Sequence, residues 1–123
     1  AMRRPDLFRS VSAFSPICSP TRCPWGEKAL SAYLGADRDA WSAHDAALLM
    51  QAGNAKPFDD MIIDQGLADQ FLETQLKPEL LEEAARASGQ KLTLRRHEGY
   101  DHSYFFIATF VADHIAFHPG PLA

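Results

Sequence analysis

The chain has 123 residues, of which 46% are apolar and 23% charged, so it is one domain's length with enough apolar side chains for a buried core and none of the composition of a disordered segment. Its net charge of −4 and the lack of any dense basic run exclude a nucleic-acid partner from the expectations. No apolar stretch approaches the roughly 18 residues needed to span a bilayer, no signal-peptide pattern opens the chain, and Cys18 and Cys23 read as reduced thiols, so a cytoplasmic protein is expected.

In chain order, Ala1 to Arg4 has helix-forming character and Pro5-Asp6 reads as a turn. Val11 to Phe14 is a short buried strand stopped by Ser15-Pro16. A loop with Pro16, Pro20 and Pro24 follows, then a helix from Trp25 to Leu34 closed by Gly35. Residues 37 to 51 hold one or two helical pieces, and Gly53 to Phe58 is a loop. Met61-Ile62-Ile63 is a continuous apolar run without alternation, which suits a parallel strand buried on both faces. Leu72, Leu76, Leu80, Leu81, Ala84 and Ala85 mark an amphipathic helix from about Phe71 to Gly89. Pro78 either kinks that helix or sits in the first turn of one beginning near Lys77. Leu92 to His97 alternates like an outer strand, and Gly99 to His102 is a turn. Ser103 to His118 is a last helix, predicted to bury Ile107, Phe110, Val111 and Ile115 and to end at Pro119-Gly120-Pro121. Strands alternating with helices predict an α/β fold with a parallel sheet.

In such sheets chemistry gathers outside the carboxyl ends of the strands. Three segments end there: Ser15 to Trp25, Asp64 to Gln70 and Glu98 to Ser103. Asp69 after one strand and His102 after the next share a rim, as the acid and base of a Ser-His-Asp triad must. Their order also fits α/β-hydrolases, where serine comes first, the acid second and the histidine last. Each residue alone has a plainer reading, as a helix cap or a turn residue. The serine is lacking: a Gly-x-Ser-x-Gly elbow needs glycines four apart, and Gly26, Gly35, Gly53, Gly66, Gly89, Gly99 and Gly120 include no such pair. Cys18 is a poor replacement, because it has no elbow around it and follows a Pro-Ile loop. His114 and His118 stand four apart on a helix but without a third ligand, and Cys18 and Cys23 lack a second pair, so no metal is expected. No cofactor is expected either.

Longer blocks carry a resemblance. Ser10-Val11-Ser12-Ala13-Phe14-Ser15-Pro16-Ile17-Cys18, then Cys23-Pro24-Trp25-Gly26, then Tyr33-Leu34-Gly35, then Ile63-Asp64-Gln65-Gly66-x-x-Asp69-Gln70-Phe71-Leu72 and Gly99-Tyr100-Asp101-His102-Ser103-Tyr104 resemble the S-formylglutathione hydrolase, or esterase D, family, in order and over nearly the whole chain. The resemblance implies the C-terminal portion of a single α/β-hydrolase domain: its last three parallel strands with flanking helices. It implies hydrolysis of S-formylglutathione to glutathione and formate in formaldehyde detoxification, with Asp69 as acid and His102 as base. The serine and the oxyanion-hole N–H groups belong to the preceding half. Trp25, with Ile17 and Cys18, is a candidate wall of the acyl pocket; alternatively Trp25 only anchors its loop. The chain alone is therefore expected to be inactive. Its Val11–Phe14 edge is expected to be open, to be met by a polypeptide carrying the N-terminal half or by a second copy of this chain. The alternatives are a general short-chain carboxylesterase, or an inactive piece serving assembly alone.

Overall fold

In a computed structural model, residues 1–53 and 58–119 are described. Three strands form the sheet: β1 (Val11–Phe14), β2 (Met61–Gly66) and β3 (Thr93–His97). All pair in parallel in the order β1-β2-β3, with Phe14 beside Asp64 and Gly66 beside His97. β2 is central and buried along its whole length, as its unbroken apolar run requires. β3 is an edge, in keeping with its alternation. β1 is the other edge and has no strand on its outer side among the described residues.

Three helices lie between β1 and β2: α1 (Pro24–Leu34), α2 (Arg38–Ser42) and α3 (Ala46–Gln51). α1 opens on Pro24, whose missing N–H costs nothing at a helix start, and closes at Gly35, which takes φ 76°. Asp37 and Asp45 cap α2 and α3 by accepting from free backbone N–H groups. α4 (Pro78–Ser88) joins β2 to β3 and ends at Gly89, with φ 77°. It buries Leu81, Ala84 and Ala85 against Met61, Ile63 and α3, and this is the apolar core. Of the two readings of Pro78, the helix that begins near Lys77 with proline in its first turn is the one observed; the stretch from Phe71 is a separate wide turn, Leu72–Leu76, followed by Lys77 in the left-handed region at φ 47°. Pro78 can neither donate a hydrogen bond nor follow a helical residue without a clash, so the chain reverses at Lys77 and begins again.

Two further expectations are corrected. Ala1 to Arg4 forms turns, not a helix, with Arg4 N–H donating to the Ala1 carbonyl at 2.8 Å, because Pro5 disfavours a helical Arg4. The last helix, α5 (Tyr104–Phe117), buries little of the predicted face: Phe110 is half-buried against His97, but Ile115 is 71% exposed, and Ile107 and Val111 are over a third exposed. Phe106 and His114 are buried instead. The parts of the Gly53–Phe58 loop at 54–57, and of the Pro119-Gly120-Pro121 ending from Gly120 on, lie outside the described residues. No helix among the described residues is long and apolar enough to cross a membrane.

The orientation of α5 is set by a polar contact. Asp64, in the middle of the sheet with no exposed side-chain surface, accepts from Arg95 Nε and Nη2 at 2.6 Å each. His97 Nε2 reaches it at 3.1 Å, and His114 Nε2, from α5, at 2.9 Å. His114 also stacks on Phe14 of β1 at 3.8 Å. Burial alone would raise the Asp64 carboxyl, but hydrogen bonds from Arg95, His97 and His114, with the Arg95 charge, outweigh it and hold the group below the ordinary carboxylate range. A carboxyl depressed on folding stabilises the fold above its unfolded value and stops doing so as pH falls through its folded value. Asp64→Asn should therefore cost about 3–5 kcal/mol at neutral pH. Thermal unfolding followed against pH should show the unsubstituted chain losing stability below about pH 4, where the variant changes less.

Candidate active site

The two segments that follow β2 and β3 are laced to each other. Leu67 N–H donates to the His97 carbonyl at 2.9 Å, and Ala68 N–H to the Tyr100 carbonyl at 3.0 Å. The Tyr100 carbonyl comes so close to Gly66 that a Cβ there would overlap it. Gly99, at φ 78°, makes the turn that brings Tyr100 back over the sheet. The lacing places Asp69 on one segment within reach of His102 on the other.

His102 Nδ1 lies 2.7 Å from Asp69 Oδ2. The Asp69 side chain is fully buried, while that of His102 is 38% exposed. Phe71 N–H donates to Asp69 Oδ1 at 2.8 Å, and Gln65 Nε2 to Oδ2 at 3.2 Å. A carboxylate can only accept, so Nδ1 carries the ring proton, and in the neutral ring Nε2 holds a lone pair. Nε2 has no hydrogen-bond partner among the described residues. The Phe71 and His102 rings stand perpendicular, with centroids 5.4 Å apart at 89°. The imidazole is thus held by a buried carboxylate on one nitrogen and is open on the other among the described residues.

Beside the ring is a hollow of about 380 Å³ lined by Phe14, Ser15, His102, Ser103, Tyr104, Phe106 and Ile107. Ser15 takes φ 44°, donates its N–H to the Asp64 carbonyl at 2.8 Å, and has a buried hydroxyl without a partner among the described residues. It follows a strand, as an elbow serine would, but Pro16 and not a helix comes next. Ser103 sits directly before α5, at its N-cap.

Trp25 is 40% exposed and packs on Phe71 at 4.4 Å, so it joins the aromatic wall around His102. Its loop is held by Asp45, which accepts from Ser19 Oγ at 2.8 Å and Thr21 Oγ1 at 2.7 Å. Ile17 and Cys18 line a different hollow, with Met2, Val11, Leu49 and Met61, which His102 does not border. Burial, with the charges of Glu79 and Asp45, pushes the Cys18 thiol up to about 12, so it is no nucleophile at neutral pH. His118 turns both ring nitrogens to Ser10 and Ser12, at 2.7 and 2.9 Å, while His114 serves Asp64.

Sequence reasoning missed Phe71, Gln65 and Ser15 around this site. One signal was present for Gln65: it follows the apolar run Met61-Ile62-Ile63 by two residues, and a polar side chain carried into the end of a strand buried on both faces has to bond to something.

A family model described as putative esterase matches residues 1–117. Among solved structures the chain is similar to an S-formylglutathione hydrolase from Agrobacterium tumefaciens, at 51% identity and a TM-score of 0.90. That match covers 96% of this chain and 42% of the other, so the chain spans less than half the length of that enzyme.

Gly66→Ala should force the two segments apart, at a cost of about 2 kcal/mol or more. Loss of the Asp69–His102 contact, read from a crystal structure or from the His102 resonances of the variant, is the expected result; an intact pair would count against the role given to Gly66.

Proposed function

The chain belongs to the putative-esterase family, and from that premise we propose that it supplies Asp69 and His102 as acid and base of a serine hydrolase acting on S-formylglutathione. The carrying observation is the 2.7 Å contact between a buried carboxylate and Nδ1, with Nε2 left free. The serine comes from the half of the fold preceding β1, which this chain does not span. Two features support that. The two serines of the hollow do not fit the part, since Ser15 is buried and Ser103 opens a helix beside His102. Among the described residues the outer side of β1 also carries no strand, so a preceding strand can pair there in parallel.

In the complete enzyme His102 Nε2 takes the proton of the serine hydroxyl as its oxygen attacks the formyl carbon. Backbone N–H groups of the preceding half hold the oxyanion. The tetrahedral intermediate collapses, the carbon–sulfur bond breaks, and the proton on Nε2 goes to the glutathione sulfur. Water then adds to the formyl ester, giving a proton to Nε2. That proton returns to the serine oxygen as formate leaves. Asp69 holds Nδ1–H throughout and balances the charge of the imidazolium. Such a reaction serves formaldehyde disposal, in the cytoplasm. On this reading the 123-residue chain alone is inactive, and its partner at the β1 edge is the remainder of its own fold.

A second reading, a general short-chain carboxylesterase, draws on the hollow's lining. Phe14, Tyr104, Phe106 and Ile107 suit a small acyl group, and among the described residues no Lys or Arg lines it to meet a carboxylate of glutathione.

The test uses the full-length, serine-bearing polypeptide with S-formylglutathione and with a simple acetate ester. His102→Ala and Asp69→Asn should each lower kcat by about 10⁴. S-formylglutathione should have the higher kcat/KM; equal values would favour the second reading. Variants within about tenfold of the unsubstituted enzyme would exclude the acid–base roles.

A further inference from the structure

We infer that Gln65 is a positioning residue that locks the carboxylate of Asp69 against His102; the inference rests on the hydrolase reading. Gln65 is the penultimate residue of β2 and has no exposed surface. Its Nε2 lies between two oxygens, the Gly66 carbonyl at 3.0 Å and Asp69 Oδ2 at 3.2 Å. Both oxygens only accept, so the amide nitrogen must face them and the orientation of the group is determined. The amide oxygen is then left buried without a donor among the described residues. An unpaired buried oxygen is unfavourable, and an apolar side chain in this place would avoid it. The amide is therefore best accounted for by what its nitrogen does.

That nitrogen completes the hold on the acid. Phe71 N–H fixes Oδ1, but a single fixed donor lets a carboxylate turn about its Cβ–Cγ bond. The second oxygen is otherwise bound only by the ring it is supposed to orient, and that ring is 38% exposed. Gln65 supplies a donor from the central strand, which is paired on both sides and is the most constrained element of the sheet. With three donors on two oxygens, Oδ2 points at Nδ1 before substrate arrives. The imidazole then needs no reorganisation when it takes up a proton.

The inference is tested in the full-length hydrolase with Gln65→Met, which keeps the length and removes the donor, and Gln65→Glu, which keeps the shape and replaces the donor by an acceptor. Two readouts are taken: the split between kcat and KM, and the low-field proton resonance of His102 Nδ1. In both variants kcat should fall about tenfold, the scale of one hydrogen bond to a charged group, with KM little changed. The low-field resonance should broaden or vanish, because a carboxylate free to turn no longer shields that proton from exchange. Folded variants that keep both kcat and the resonance would overturn the inference. So would a Gln65→Glu enzyme as active as the unsubstituted one, which would mean that shape alone matters. If Gln65→Met does not fold, Gln65→Glu decides by the same two readouts. An unsubstituted protein that cleaves no ester would remove the hydrolase reading, while the resonance would still report whether Gln65 holds Asp69.

Discussion

The carbonyl oxygen of Tyr100 lies against the α-carbon of Gly66, in space that any side chain would fill. The site depends on that approach. It lets the Ala68 N–H reach Tyr100, and with the Leu67–His97 bond it fastens the segment after the central strand to the segment after the edge strand. Asp69 and His102 lie 33 residues apart in sequence and meet at 2.7 Å because their backbones are bonded to each other just upstream. The carboxylate–imidazole pair is thus a product of the sheet's rim, and its precision is that of two adjacent parallel strands.

A second polar structure, within the same sheet, orients the last helix. α5 is apolar nearly all round, so hydrophobic burial alone does not choose its rotation. The buried Asp64 does, through His114, and Arg95 and His97 complete its shell from β3. A buried carboxylate is tolerated because the guanidinium and two imidazoles compensate it, and losing any one of them leaves a costly remainder. Since α5 begins directly after His102 and Ser103, this shell also sets the direction in which the chain leaves the site.

These two structures differ in how far they could be read from residues alone. The strand at Met61–Ile63, the helix ends at Gly35 and Gly89, the edge character of Thr93–His97 and the α/β order follow from local rules, because run length, capping and alternation are properties of neighbours in sequence. The Asp69–His102 pairing was open to inference from strand order and from the resemblance of the motif blocks, which also point to the esterase family. The buried face of α5 was not. Ile107, Val111 and Ile115 have the right period, but a polar bond to Asp64 across 50 residues outweighs it. At the start of the chain the reason is local: Pro5 disfavours a helical Arg4, and turns form instead. Ile17 and Cys18 share a rim loop with Trp25, but residues of one loop can face opposite sides of a sheet, and these two line a hollow that His102 does not border.

On the proposed reading, His102 and Asp69 serve a serine outside these 123 residues. The most direct measurement is covalent trapping: the full-length polypeptide is treated with a fluorophosphonate and the labelled peptide is located by mass spectrometry. Label on a serine preceding β1, formed far more slowly in His102→Ala, is the predicted result. Label on Ser15 or Ser103, or ester hydrolysis with no serine labelled at all, would contradict it.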